Sequence, residues 1–213
     1  MLVDLSHSIE HGLITYDGLP APAMSDFLSR EASRTRYAPG TEFRIGRIEM
    51  VGNTGTYIDA PSHRFRDGGD IGSIDLDSIA NVPAVVLRAT GRRSIDSVPQ
   101  DLRGKALLIH TGWSRHWNTP TYWNNQHPFL TRAAADALAQ SGVRIVGIDS
   151  YNIDDTSDLA RPAHTELLRA GILIVEHLTN FDALPDRGDI RFFAVPPRAR
   201  GMDSFPVRAF AMV

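Results

Sequence analysis

Three side chains in residues 50–66 offer the most direct chemistry in this chain: a phenol at Tyr57, a carboxylate at Asp59 and an imidazole at His63. In MVGNTGTYIDAPSHRFR, Gly52 and Gly55 permit tight backbone, and Pro61 pushes Ala60 toward an extended conformation. If 57–59 is extended, Tyr57 and Asp59 share one face, and a turn at Ala60-Pro61 lets His63 fold back beside them. An imidazole with an ordinary pKa of about 6.5 can take a proton and return it near neutrality. The same residues also make a plain surface turn, in which Asp59 caps an amide and His63 is solvated.

A second pair lies further along. Pro162 suits the first turn of a helix over 162–170, Gly171 ends it, and 172–175 reads as a buried strand. About eight helical residues span ~12 Å and about five strand residues ~16 Å, so the chain returns nearly to its start. His164 and Glu176 therefore meet at one edge, whereas His177 points away from Glu176 and reads as structural. Taken alone, a first-turn histidine and a strand-end glutamate are also compatible with purely structural roles.

GTYIDAPSHRF resembles the signature of the cyclase family, whose best-known members are bacterial metal-dependent kynurenine formamidases, approximately H-x-x-G-T-H-x-D-A-P-x-H. Gly55, Thr56, Asp59, Ala60, Pro61 and His63 match in order and spacing, while Asn53 and Tyr57 stand at two usual histidine ligand positions. The likeness extends through DLSHSIEHGLITYDGLPAP, LLIHTGW, VGIDSYNID and RPAHTELLRAGILIVEHLTNFDALP. It implies a compact β/β/α fold of the α/β class, with a barrel-like mixed sheet flanked by helices, usually dimeric. It implies metal ligation by Asp59, His164 and Glu176, with Asn53 a weaker ligand, and places Tyr16 in the substrate pocket. The loop opened by Asp149 is similar to one beside the family's active site, which makes Asp149 the expected orienting residue. His110, at the carboxyl end of a buried strand, is a further pocket candidate.

Imidazole among the ligands favours one Zn²⁺ or Mn²⁺ over Mg²⁺. Such an ion, with His63 and Tyr57 as the catalytic side chains, is suited to hydrolysis of a small amide, formamide or cyclic ester. Two readings stand beside it: a metal-independent cyclase, dehydratase or isomerase using Tyr57 and His63, and a small-molecule binder without turnover.

Composition narrows the rest. A chain of 213 residues, 42% of them hydrophobic, can bury one full core, and 1–213 reads as a single domain. Its 22 basic and 25 acidic residues give a net charge of -3, which argues against a nucleic-acid surface. There is no cysteine, so thiolate catalysis and sulfur-ligated zinc are excluded. No apolar run approaches the ~18 residues of a membrane span, and no secretory leader opens the sequence, so a cytoplasmic protein is expected.

Among the positioning elements, 43–50 reads as a strand with a bulge near Gly46, 84–87 as a strand led by Pro83, and 106–109 and 144–148 as buried strands. Thr131 N-caps a helix over 132–140 that Gly142 ends. The polar segment 26–40 reads as a short helix or an irregular arm, and 113–129 as an aromatic loop over the core or at the pocket wall. Strands are expected over 191–195 and 207–212, with 196–205 a loop.

Overall fold

Short apolar runs punctuated by Gly, Pro and Asp favour strands over long helices. The computed structural model, which describes residues 1–213, accordingly contains thirteen strands and three α-helices. The strands are β1 (Leu2–Asp4), β2 (Ala23–Leu28), β3 (Ile45–Glu49), β4 (Tyr57–Asp59), β5 (Val82–Arg88), β6 (Ser94–Ile95), β7 (Ala106–His110), β8 (Phe129–Leu130), β9 (Ile145–Ile148), β10 (Leu173–Glu176), β11 (Ile190–Phe193), β12 (Ser204–Pro206) and β13 (Phe210–Met212). The helices are α1 (Arg30–Ser33), α2 (Arg132–Ser141) and α3 (Pro162–Arg169).

Nine strands form one mixed sheet in the order β1-β13-β11-β5-β7-β9-β10-β4-β12, curled into a half-barrel. The middle strands β5, β7, β9 and β10 run parallel, and antiparallel strands extend both flanks. Side chains alternate between two cores, as the period of two requires. Ala106, Leu108, Ile145, Leu173 and Val175 face a core shared with Val3, Phe181 and Phe192. Leu107, Ile109, Val146, Ile148 and Ile174 face the other, against Ala134, Ala135 and Leu138 of α2 and Ala163, Leu167 and Leu168 of α3.

The helix ends follow the expected chemistry. Thr131 accepts the Ala134 amide at 3.3 Å and left-handed Gly142 ends α2. α3 opens with Pro162, and Gly171, with φ of 74°, follows its last turn.

Three expectations are corrected. The irregularity in the β2–β3 ribbon lies opposite Gly46 rather than at it: Gly46 pairs with Asp26 and Ile45 with Leu28, so Phe27 is the extra residue. Pro83 lies inside β5 and not ahead of it. The expected loop over 196–205 contains the start of β12, a three-residue edge strand on β4 in which Pro206 is tolerated.

Gly147 marks the tightest approach in the sheet centre, since a Cβ there would lie 2.6 Å from Leu178 Cδ1 and 3.1 Å from Leu108 Cδ2. Gly147→Ala should therefore cost about 1–3 kcal/mol, read as a lower urea midpoint at unchanged slope. A wild-type midpoint would contradict this packing.

Candidate active site

Strand register assembles the site. β10 pairs antiparallel with β4, placing Glu176 opposite Tyr57 and Ile174 opposite Asp59, and β12 places Ser204 opposite Asp59 on the other edge. Directly opposed residues share a sheet face. Tyr57, Asp59, Glu176 and Ser204 therefore project together on the helical side, where the first turn of α3 supplies His164. Extended Ala60, with ψ of 163°, leads into a 3-10 turn, Pro61–His63, that folds His63 back over them.

The carboxylates are fully buried. Asp59 Oδ1 accepts the Ser204 hydroxyl, while Asp59 Oδ2 has no hydrogen-bond partner. The facing nitrogen, His164 Nε2, lies 3.8 Å from Asp59 Oδ2 and 3.9 Å from Glu176 Oε1. On its other side, His164 Nδ1 donates to Asp154 Oδ2 at 2.6 Å. Asp154 also accepts the amides of Ala163 at 2.6 Å and His164 at 3.0 Å. One carboxylate thus caps α3 and fixes the ring that α3 carries.

Burial alone would lower the His164 pKa, but the Asp154 hydrogen bond, the facing Asp59 carboxylate and the charge of Glu176 raise it to about 10. Burial raises Glu176 to about 7, against the lowering effect of the His164 cation. Glu176 Oε1 also accepts the Ile153 amide at 2.6 Å, and its Oε2 accepts the Tyr57 hydroxyl. Burial, together with the charge of Glu176, holds Tyr57 well above the ordinary phenol pKa. The phenol is consequently a neutral donor to Glu176.

Hydrogen-bond counting sets the His63 tautomer. The Ser204 hydroxyl has one proton and gives it to Asp59, a carboxylate that can only accept. His63 Nδ1, 3.1 Å from the same oxygen, must then be the donor, which leaves the lone pair of the neutral ring on Nε2. The His63 side chain is 33% exposed, so this lone pair is open to a ligand.

A cavity of about 500 Å³ opens over the cluster, lined by Tyr16, Asn53, Tyr57, His63, His164 and Glu176 among others. Asn53 reaches Ser204 Oγ through its amide nitrogen at 3.5 Å, and Tyr16 accepts a hydrogen bond from Asn152. His110 and Asp149 do not line it, contrary to expectation. On β7 and just past β9 they continue the series of Leu108 and Gly147, whose side of the sheet is the opposite one. His110 stacks on Phe181 and meets Arg88 through Nδ1 at 2.8 Å, beside a separate cavity of about 340 Å³. Asp149 accepts the amides of Thr111 at 2.6 Å and Gly112 at 2.8 Å, closing the turn after β7. The aromatic segment packs over the core, with Trp117 stacked on His7 at 3.9 Å, and does not line the site cavity.

Sequence reading missed Asp154, Ser204, Arg64, Arg161 and Asn152. A signal existed for Asp154, because Arg161 cannot cap the helix that Pro162 begins and the cap must come from elsewhere.

Two outcomes follow from these contacts. The His164 pKa rises on folding from 6.5 to about 10, so its stabilisation is complete below pH 6.5 and is lost as pH climbs toward 10. Chelated protein should lose melting temperature across that window and His164→Gln should flatten the slope; a rising melting temperature would contradict the buried cation. Nitrogen-15 NMR above the imidazole titration should show His63 protonated at Nδ1 in wild type and shifted toward Nε2 in Ser204→Ala. A shared tautomer in both proteins would remove Ser204 from this role.

Comparison with known proteins identifies the family. The Cyclase family model, described as "Putative cyclase", matches residues 3–155. The kynurenine formamidase of Geobacillus thermodenitrificans is 35% identical over 182 residues, covering 83% of this chain and 84% of that protein. The kynurenine formamidase of Bacillus cytotoxicus is 33% identical over 212 residues, covering 97% and 95%. A solved structure of a potential metal-dependent hydrolase with cyclase activity superposes with a TM-score of 0.79 at 25% identity, covering 99% of this chain and 96% of that one. With its signature residues gathered around one buried cluster and a family model matched over more than half its length, the chain belongs to the cyclase family.

Proposed function

We propose that the protein is a metal-dependent hydrolase of a small amide, most simply a formamide, acting on the C–N bond. The observation that carries this reading is the orphaned, fully buried Asp59 Oδ2 facing His164 Nε2 and Glu176 Oε1. A buried carboxylate oxygen without a donor needs a cation. Single donor atoms of Asp59, His63 and His164 lie within 4.8 Å of one another, so the residues present fit a divalent ion. Asp59 and His164 would hold it, with Glu176, whose Oε1 lies 3.9 Å from His164 Nε2, as the third ligand in this reading so that His63 stays free for proton transfer, and the mixture of imidazole and carboxylate supports Zn²⁺ or Mn²⁺. Bound there, the ion would polarise the amide carbonyl and lower the pKa of a water it binds.

The chain's own groups handle the protons. His63 Nε2 takes a proton from the attacking water and returns it to the departing amine nitrogen, while Ser204 and Asp59 keep the ring oriented through Nδ1. Tyr57 holds Glu176 through Oε2, which supports a single ion rather than a pair. The relatives named kynurenine formamidase support the amide substrate, and Tyr16 and Tyr57 in the cavity suit a ring-bearing one. A metal-independent reaction led by Tyr57 has less support, because the phenol proton is already given to Glu176.

A homodimer belongs to the same proposal. The β2–β3 ribbon exposes Met24, Phe27, Ile45 and Ile48, with Phe43 beside it, an apolar surface suited to a second copy. Sedimentation should give a dimer that Phe27→Asp with Ile48→Asp converts to monomer; a wild-type monomer would end this part of the reading. No helix is long and apolar enough to cross a membrane.

For the reaction itself, zinc- or manganese-loaded protein should release formate from formanilides. His63→Ala should cut kcat at least about 100-fold while the metal content stays unchanged. No turnover of any formanilide or cyclic amide by loaded wild type would contradict the proposal.

A further inference from the structure

We infer that the substrate carries an anionic group, seated on the guanidiniums of Arg64 and Arg161 at the α3 side of the cavity. This inference rests on the amide-hydrolase reading for the word substrate, but the anion subsite can be tested without turnover.

Both arginines line the cavity that holds His63, His164 and Glu176. They are anchored on the same piece of structure. Arg161 immediately precedes α3, and its carbonyl accepts the Thr165 amide at 2.9 Å. Thr165 Oγ1 in turn accepts Arg64 Nε at 3.2 Å. Each guanidinium therefore spends one donor group on the protein: Arg64 its Nε, and Arg161 its Nη1, which meets the Asp155 carbonyl at 3.0 Å. Both Nη groups of Arg64, and Nε and Nη2 of Arg161, make no hydrogen bond within the chain.

Neither guanidinium has a carboxylate oxygen within 4.0 Å. Arg88, Arg93 and Arg208, by contrast, each pair with an aspartate. Asp17, exposed on the same cavity, is beyond ion-pair distance of both. Arg161 also holds a left-handed backbone, with φ of 48° and ψ of 61°, rare for a residue with a side chain. Two planar donors that line one cavity, neither paired with a carboxylate, are suited to recognise a carboxylate or a comparable oxyanion. With the anion on this side, the rest of the molecule extends toward His63 Nε2 and Glu176. The substrate class becomes an amide bearing a carboxylate, such as a formylated aminobenzoate, in preference to its uncharged counterpart.

The test compares benzoate with benzamide by calorimetry, and ortho-, meta- and para-carboxylated formanilides with formanilide by turnover. The proteins are wild type, Arg161→Met, Arg64→Met with Arg161→Met, and Arg161→Lys, each checked for an unchanged thermal transition. Wild type should bind benzoate about ten- to a hundredfold more tightly than benzamide, and the double variant should lose that preference while Arg161→Lys keeps part of it. At least one carboxylated formanilide should show the same preference in kcat/KM, expressed through KM. Benzoate binding no better than benzamide at millimolar concentration overturns the inference, whatever the formanilides do. A preference that persists in the double variant also overturns it, because the anion then sits elsewhere. An arginine-dependent benzoate preference without hydrolysis of any formanilide upholds the subsite and counts against the hydrolase reading alone.

Discussion

Three carboxylates are buried around one imidazole, and the arrangement of the site depends on that balance. Asp59, Asp154 and Glu176 are fully buried, and His164 touches all three environments, through Nδ1 on one side and Nε2 on the other. Withdrawing each charge from water costs several kcal/mol unless it is paired and hydrogen-bonded. Asp154 meets that demand with two amides and an imidazole N–H, and Glu176 with a phenol and an amide. Asp59 alone keeps an oxygen without a donor. The residual need for positive charge is therefore located at one atom, which is why the cluster reads as a cation site and not as a structural salt bridge.

The sheet makes this concentration of charge affordable by separating duties between its faces. On the helical side the same alternation that buries Ile174 under α3 also presents Asp59 and Glu176. On the other side it sends His110 and Asp149 away. His177, just past β10, is buried, meets the Tyr122 hydroxyl at 2.8 Å through Nδ1 and packs its ring 5.3 Å from that of Tyr57, so it supports the aromatic packing behind the site. Because β4 contributes two site residues and is bracketed by β10 and β12, the geometry around Asp59 is held from both edges at once. A short strand in the middle of two ladders is less free to shift register than one at an edge.

Much of this was legible in the chain, and for identifiable reasons. Thr131, Gly142, Pro162 and Gly171 announce their helix ends through local backbone chemistry. Tyr57, Asp59, His63, His164 and Glu176 follow from motif spacing and from the reach of one helix and one strand. Ser204 was not legible, because it acts through a three-residue edge strand whose partner lies far away in sequence. Asp149 was expected to orient a ligand, but the residue leaving β9 continues the far face of the sheet, and it is Asp154, further along the same loop, that holds His164. Arg64 and Arg161 carry no motif signal, since only the fold reveals that both line the site cavity and that neither has a carboxylate partner.

The most direct measurement is a calorimetric titration of chelated protein with zinc or manganese at pH 8, in buffers of different ionisation enthalpy. A single ion should bind, with the release of about one proton, because His164 must give up Nε2–H to become a ligand. Binding of two ions, or no binding of either metal, would contradict a one-ion centre built on Asp59, His164 and Glu176.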